Sequence, residues 1–228
     1  MRALRVHGYG PHDRIVLDEV PVPQPLVGEV RVHVQACGVS FVDLLLARGG
    51  YQVRPTPPFV PGSEFSGVVD ALGPGTTTGL KPGDRVCGTR QGAWSEAICV
   101  RETSVFSVAD DASFIDTAVL LAPYGTALYA LRERGRLRAG ETLLVLGAAG
   151  SVGHAAVQLG KLLGARVIAA ASTAAKRAAV LAAGADDVVD ATGDWKDAVK
   201  SLTAPRGVDV VLDTVGGDAT DTAFRTLG

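Results

Sequence analysis

Residues 145–153 read Val-Leu-Gly-Ala-Ala-Gly-Ser-Val-Gly, VLGAAGSVG. They close an apolar run, TLLVLG at 142–147, and open a segment in which Val152, Ala155, Ala156, Leu159, Leu162 and Leu163 recur at helical spacing before Gly164. An uninterrupted apolar run predicts a strand buried on both faces, the 3.6-residue recurrence predicts a helix with one buried face, and the glycine ends that helix. Three more apolar runs follow, RVIAA at 166–170, DVVD at 187–190 and VDVVLD at 208–213. Between the first two, the alanine-rich stretch within 169–185 consists of good helix formers and stops at Gly184, which predicts a second crossover helix rather than a disordered segment. Strand and helix therefore alternate from about residue 140, as in a doubly wound α/β domain. That fold usually has six parallel strands and four are legible here, so the expectation is a domain incomplete at its C-terminus.

The earlier part of the chain has a different pattern. Val30, Val32, Val34 and Ala36 alternate with Arg31, His33 and Gln35, the period of a half-buried strand, and clusters such as PVPQPLVGE at 21–29, GPGTTTG at 73–79 and KPGD at 81–84 mark turns. One short helix is expected over Val42–Arg48, before Gly49 and Gly50. The reading is a β-rich domain over residues 1–125 followed by an α/β domain over 126–228.

Within a chain of 228 residues, 47% hydrophobic and 20% charged, a substantial core can be buried. Net charge is -2 with Lys and Arg scattered, so no basic stripe exists for nucleic acid. No run approaches the length needed to span a bilayer and the first residues do not resemble a signal peptide, which makes the cytoplasm the expected location. Cys37, Cys87 and Cys99 are odd in number and lack metal-ligand spacing, and are expected to be small buried residues. His7, His12, His33 and His154 also lack ligand spacing and are expected at the surface or satisfied.

The loop at 145–153 resembles GxGxxG with Ala148 at the first glycine position. In a dinucleotide site a strand ends, the backbone turns, and a helix begins with free N–H groups and its dipole directed at a pyrophosphate. Gly150 lets the phosphate approach the backbone, Gly153 lets the helix approach the sheet, and Ser151 and Val152 lie between them in the first turn. An acidic residue at the end of the second strand would accept hydrogen bonds from a ribose 2′-OH and repel a 2′-phosphate. Here that position reads AAASTAAKRA, 169–178, with no acid. Ser172 and Lys176, with Thr173 and Arg177 beside them, instead favour a phosphate, and the expected cofactor is NADP(H).

The order and spacing of GEVRVHVQACGVSFVDLLLARGGY (28–51), PFVPGSEFSGVV (58–69), GLKPGDRV (79–86), YGTALYAL (124–131), AGETLLVLGAAGSVGHAAVQLGKLLGARVIA (139–169) and GVDVVLDTVGG (207–217) resemble the zinc-free quinone oxidoreductase, zeta-crystallin-like, branch of the medium-chain dehydrogenase/reductase superfamily. The resemblance implies a GroES-like β domain followed by a Rossmann domain, with substrate in the cleft between them. It further implies a homodimer for the full-length protein. Zinc-dependent relatives place a ligand Cys at the position of Ser40, a His at that of Ser63 and a third ligand near Ala122, so no metal is expected.

Loss of zinc constrains the chemistry, because an ordinary alkoxide calls for a Lewis acid whereas the phenolate or enolate formed by adding hydride to a quinone or enone can be held by hydrogen bonds. The resemblance thus implies hydride transfer from NADPH to a quinone. Alternatives are an enone, alkenal or enoyl-thioester reductase and, in a different class, a non-catalytic NADPH-binding structural or regulatory protein. Ser40, Asp43 and Tyr51 match pocket positions, although Ser40 replaces the branch's usual Asn. Thr126 matches a position beside the nicotinamide, and Val215 and Gly216 match the edge of the cofactor site. Ala191 stands where relatives often have a tyrosine near the 2′-phosphate.

Overall fold

The computed structural model describes residues 1–10 and 14–228; His12 lies outside the described residues. The chain divides into two compact units, Met1–Ala122 and Pro123–Gly228.

In the first unit, β1 (Arg2–Val6) pairs antiparallel with β2 (Ile15–Glu19). A five-stranded antiparallel sheet comprises β3 (Glu29–Cys37), β4 (Glu64–Leu72), β5 (Arg85–Thr89), β6 (Ala97–Arg101) and β7 (Val105–Ser107), in the order β6-β3-β4-β5-β7. The alternation read at 30–36 is realised, with Val30 and Val32 buried among Phe65, Val69, Val86 and Val100. Cys87 and Cys99 are buried as expected. Cys37 is exposed instead, because it ends β3 on the solvent-facing side of the pleat. The expected short helix is α1 (Phe41–Arg48), closed by Gly49 at φ 73°. A single turn, α2 (Phe114–Thr117), precedes α3 (Leu121–Tyr129), which starts in the first unit and continues from Pro123 as part of the second.

The second unit is a parallel sheet of β8 (Thr142–Leu146), β9 (Arg166–Ala171), β10 (Asp187–Asp190) and β11 (Val210–Asp213), in the order β10-β9-β8-β11. The crossover helices are α4 (Ser151–Leu162), α5 (Ala174–Ala182) and α6 (Trp195–Thr203), and α7 (Asp218–Phe224) follows β11. Successive residues of a strand point to opposite faces, so Leu143 and Val145 pack with Ala155, Ala156 and Val180, while Leu144 and Leu146 pack with Trp195, Val199 and Ala223. Both faces are covered, which is why the strands read as unbroken apolar runs. The alanine-rich stretch is divided by the structure: its first three residues complete β9, and only from Ala174 does it become helix. Among the described residues no helix is long and apolar enough to cross a membrane.

The mixed α/β architecture is a β-rich N-terminal unit and a doubly wound, Rossmann-like C-terminal one.

Candidate functional site

The strand order places β9 on one side of β8 and β11 on the other, so the loops leaving their C-terminal ends diverge and open a crevice. A cleft of about 320 Å³ occupies this edge, lined by Gly147, Ala149, Gly150, Ala170, Ala171, Ser172, Lys176, Ala191 and Val215. Four separate segments of sequence meet there. Among the described residues, Lys176 is the one charged group in the lining, and no carboxylate joins it.

Each glycine of the loop has its own geometric reason. Gly147 turns the chain in the left-handed region at φ 66°, and a Cβ there would stand 2.5 Å from the Thr214 hydroxyl oxygen. The sequence reading passed over Gly147, although it is what allows Ala148 to occupy the first fingerprint position, fully buried and without positive φ. Gly153 seats α4, since a Cβ would lie 2.3 Å from the Gly147 carbonyl oxygen and 2.8 Å from Ala148 Cα. Gly160, two turns on, does the same against Leu143 and Val167. Around Gly150 there is more room: its Cβ would meet only the Gly147 carbonyl oxygen, at 3.3 Å.

Gly150 is also the N-cap of α4 and offers no side chain to its first turn. The first intrahelical bond runs from His154 N–H to the Gly150 carbonyl at 2.8 Å, which leaves the N–H groups of Ser151, Val152 and Gly153 ahead of it for an anion. Val152 itself packs on the core, so its contribution to the rim is backbone. At α5 the cap is filled, because Thr173 accepts from the Lys176 N–H at 3.2 Å. The Lys176 side chain is exposed, with no ion-pair partner among the described residues, whereas Arg177 is bound to Asp190 at 2.9 Å. Of the two cations read from the sequence, the structure therefore presents one to the cleft. Beyond β11, Asp213 Oδ1 accepts from the N–H groups of Val215 and Gly216 at 2.8 and 3.0 Å, and Gly216 adopts φ 77°. Burial would raise the Asp213 pKa, but the Thr220 hydroxyl and these two N–H groups outweigh it and hold the carboxyl below its ordinary value.

The geometry of the cleft fits a dinucleotide phosphate: a helix N-terminus with open donors, a glycine whose missing Cβ leaves space, and a neighbouring cation without a carboxylate.

In the first unit, Ser40 and Asp43 form a reciprocal cap at the start of α1. The Ser40 hydroxyl donates to Asp43 Oδ2 at 2.7 Å, the Ser40 N–H donates to the same oxygen at 2.8 Å, and the Gly62 N–H donates to Oδ1 at 3.1 Å. Asp43 is buried and joins α1 to the loop before β4. A hydroxyl has one proton, and in this arrangement Ser40 gives it to Asp43. Tyr51 rests against the cluster of Val6, Leu46, Ala47 and Phe59, and its hydroxyl has no partner among the described residues. In the second unit, Thr126 lies inside α3, five residues past its start, and is exposed; it does not cap that helix.

The family model described as the alcohol dehydrogenase GroES-like domain matches residues 27–110, and the model described as zinc-binding dehydrogenase matches residues 151–228. Quinone oxidoreductase-like protein 2 of Rattus norvegicus is 40% identical over 217 residues, 93% of this chain and 61% of that protein. The synaptic vesicle membrane protein VAT-1 homolog of Danio rerio is 37% identical over 230 residues, 99% and 47% respectively. The chain thus spans about half to three fifths of the length of these curated relatives. Among solved structures, a probable oxidoreductase from Mycobacterium abscessus superposes with a TM-score of 0.94 at 39% identity, covering 100% of this chain and 72% of that one. A quinone oxidoreductase from Pseudomonas syringae gives 0.91 at 32%, covering 99% and 70%. A mycobacterial protein complexed with NADPH gives 0.91 at 34%, covering 100% and 71%. The chain belongs to the quinone oxidoreductase branch of the medium-chain dehydrogenase/reductase superfamily.

Membership raises the question of zinc, which one matched description names. The donor set does not fit that metal. Ser40 is engaged by Asp43, Ser63 offers a neutral hydroxyl, and Ala122 has no ligating side chain, its N–H donating to Glu64 at 2.6 Å. Burial pushes the Glu64 carboxyl up, against the N–H groups of Ala122 and Leu121 that favour its charge.

Proposed function

We propose that the second unit binds NADP(H) and that the protein reduces a quinone by hydride transfer without zinc. The observation that carries this reading is the acid-free cleft at the start of α4, with Lys176 as its one charged lining residue. The N–H groups of Ser151, Val152 and Gly153 take the pyrophosphate beside Gly150, Ser172 and Lys176 take the 2′-phosphate, and Val215 and Gly216 border the cofactor. The resemblance assigns Thr126 to the nicotinamide side. NADPH, when bound, supplies the hydride. Tyr51 is the donor for the oxygen on which negative charge develops; Ser40 and Asp43 hold α1 and the Gly62 loop in place for it.

The test is NADPH oxidation by the purified protein with a panel of acceptors. Quinone-dependent oxidation, unchanged by a chelator and without stoichiometric zinc, is the expected result. Turnover of enones, alkenals or enoyl thioesters without quinones would transfer the assignment to that reductase class. Tight NADPH binding with no turnover of any acceptor would indicate a structural or regulatory nucleotide-binding role. Sedimentation of the full-length protein as a homodimer is expected, and a monomer would remove that part.

A further inference from the structure

Arg177 follows Lys176 in the first turn of α5, yet it is absent from the lining of the cleft. Its Nη1 donates to the Ala171 carbonyl at 3.1 Å and lies 2.9 Å from Asp190 Oδ2. The other oxygen of Asp190 accepts from the N–H and hydroxyl of Thr192, at 2.9 and 2.6 Å. One guanidinium thus joins the C-terminal end of β9 to that of β10, and Ala171 and Ala191, at those two ends, both line the cleft. A cation in the first turn of a helix stands at the positive end of the dipole and needs an anion. Asp190 supplies one, and a phosphate bound near Lys176 would be a competing partner with suitable geometry for a planar guanidinium.

Resting on the NADP(H) reading of the cleft, we propose that Asp190 is a specificity-determining residue: by retaining Arg177 at the strand ends it leaves Lys176 as the sole cation for the 2′-phosphate. The preference for the phosphorylated cofactor is then set by an ion pair outside the binding surface.

The experiment compares 2′,5′-ADP with 5′-ADP by titration calorimetry on the whole chain. Asp190→Asn keeps an oxygen for Thr192 and removes the charge. It is expected to tighten 2′,5′-ADP about fivefold and leave 5′-ADP unchanged. Asp190→Glu should restore the original ratio, and adding Arg177→Ala to D190N should abolish most of the gain. An unchanged ratio in D190N, parallel weakening of both ligands, or a gain that persists without Arg177 would each overturn the proposal. Lys176→Ala in the same titration separates this from the underlying reading. If K176A abolishes the preference for 2′,5′-ADP while D190N leaves it unaltered, the Asp190 proposal alone falls. If the unsubstituted chain has no such preference, or K176A retains it, both fall.

Discussion

Gly150 and Gly153 stand three residues apart in one loop, and the structure gives them different reasons to be glycine. At 153 the obstacle is the protein's own backbone, the Gly147 carbonyl and Ala148 Cα, which can yield only if α4 moves off the sheet. Gly153→Ala should therefore destabilise the fold by about 2 kcal/mol, lowering Tm by about 4–8 °C. At 150 the nearest obstacle is 3.3 Å away, so Gly150→Ala should melt close to the unsubstituted protein yet bind NADPH at least about tenfold more weakly. Thermal denaturation beside cofactor titration checks both, and a G150A protein that binds normally would remove the phosphate from that position. The importance of Gly153 was legible from the fingerprint, because its spacing follows from strand–turn–helix geometry. That of Gly147 and Gly160 was not, because it depends on Thr214, Leu143 and Val167, which the sheet brings against them.

Among the elements, α1 was readable in the sequence to within one residue at its start, and Ser40 and Asp43 were singled out, but as pocket residues. Their reciprocal cap has the spacing of a local motif, and its decisive third contact, Gly62 N–H to Asp43, comes from a segment 19 residues away. Asp43→Ala deprives three buried or half-buried donors of their acceptor at once. A loss of about 3 kcal/mol is expected in chemical denaturation, with Asp43→Asn retaining part of it. A D43A protein of unaltered stability would return Asp43 to a purely chemical role. At the start of α5 the sequence pointed to Lys176 for the phosphate, with Arg177 as a second cation beside it. Only the approach of β10 to β9 shows that Asp190 claims the second of them.

For the molecule as a whole, stability depends on pH through groups that oppose one another. In the second unit the carboxyl of Asp186 is held below its ordinary value because Lys161 and the Val167 N–H outweigh its burial, and Asp213 is lowered in the same sense. Stability from these groups is present above the unfolded value of 3.8 and is lost as pH falls through the lower folded values. Glu64 in the first unit has the opposite sign, its folded value being raised above 4.5, so its contribution is lost as pH rises through that raised value. Glu64→Gln retains an acceptor for Ala122 and should be more stable than the unsubstituted protein at pH 7, with the difference vanishing below about pH 4. Urea denaturation across this range tests it, and a constant difference would show that Glu64 does not titrate as described. By itself the sequence determined the two architectures, the parallel sheet, the glycine-bearing strand-to-helix turn and the acid-free turn at 171–176, because these follow from periodicity and from the local geometry of glycine and caps. The tertiary structure alone decided which polar groups remain available: Ser40 is bound to Asp43 and Arg177 to Asp190, while Lys176 is left to the cleft and Tyr51 keeps a hydroxyl without a partner among the described residues. The physical reason is that a hydrogen bond or ion pair depends on what the packed elements bring within about 3 Å, and strand neighbours such as β9 and β10 lie some twenty residues apart in sequence.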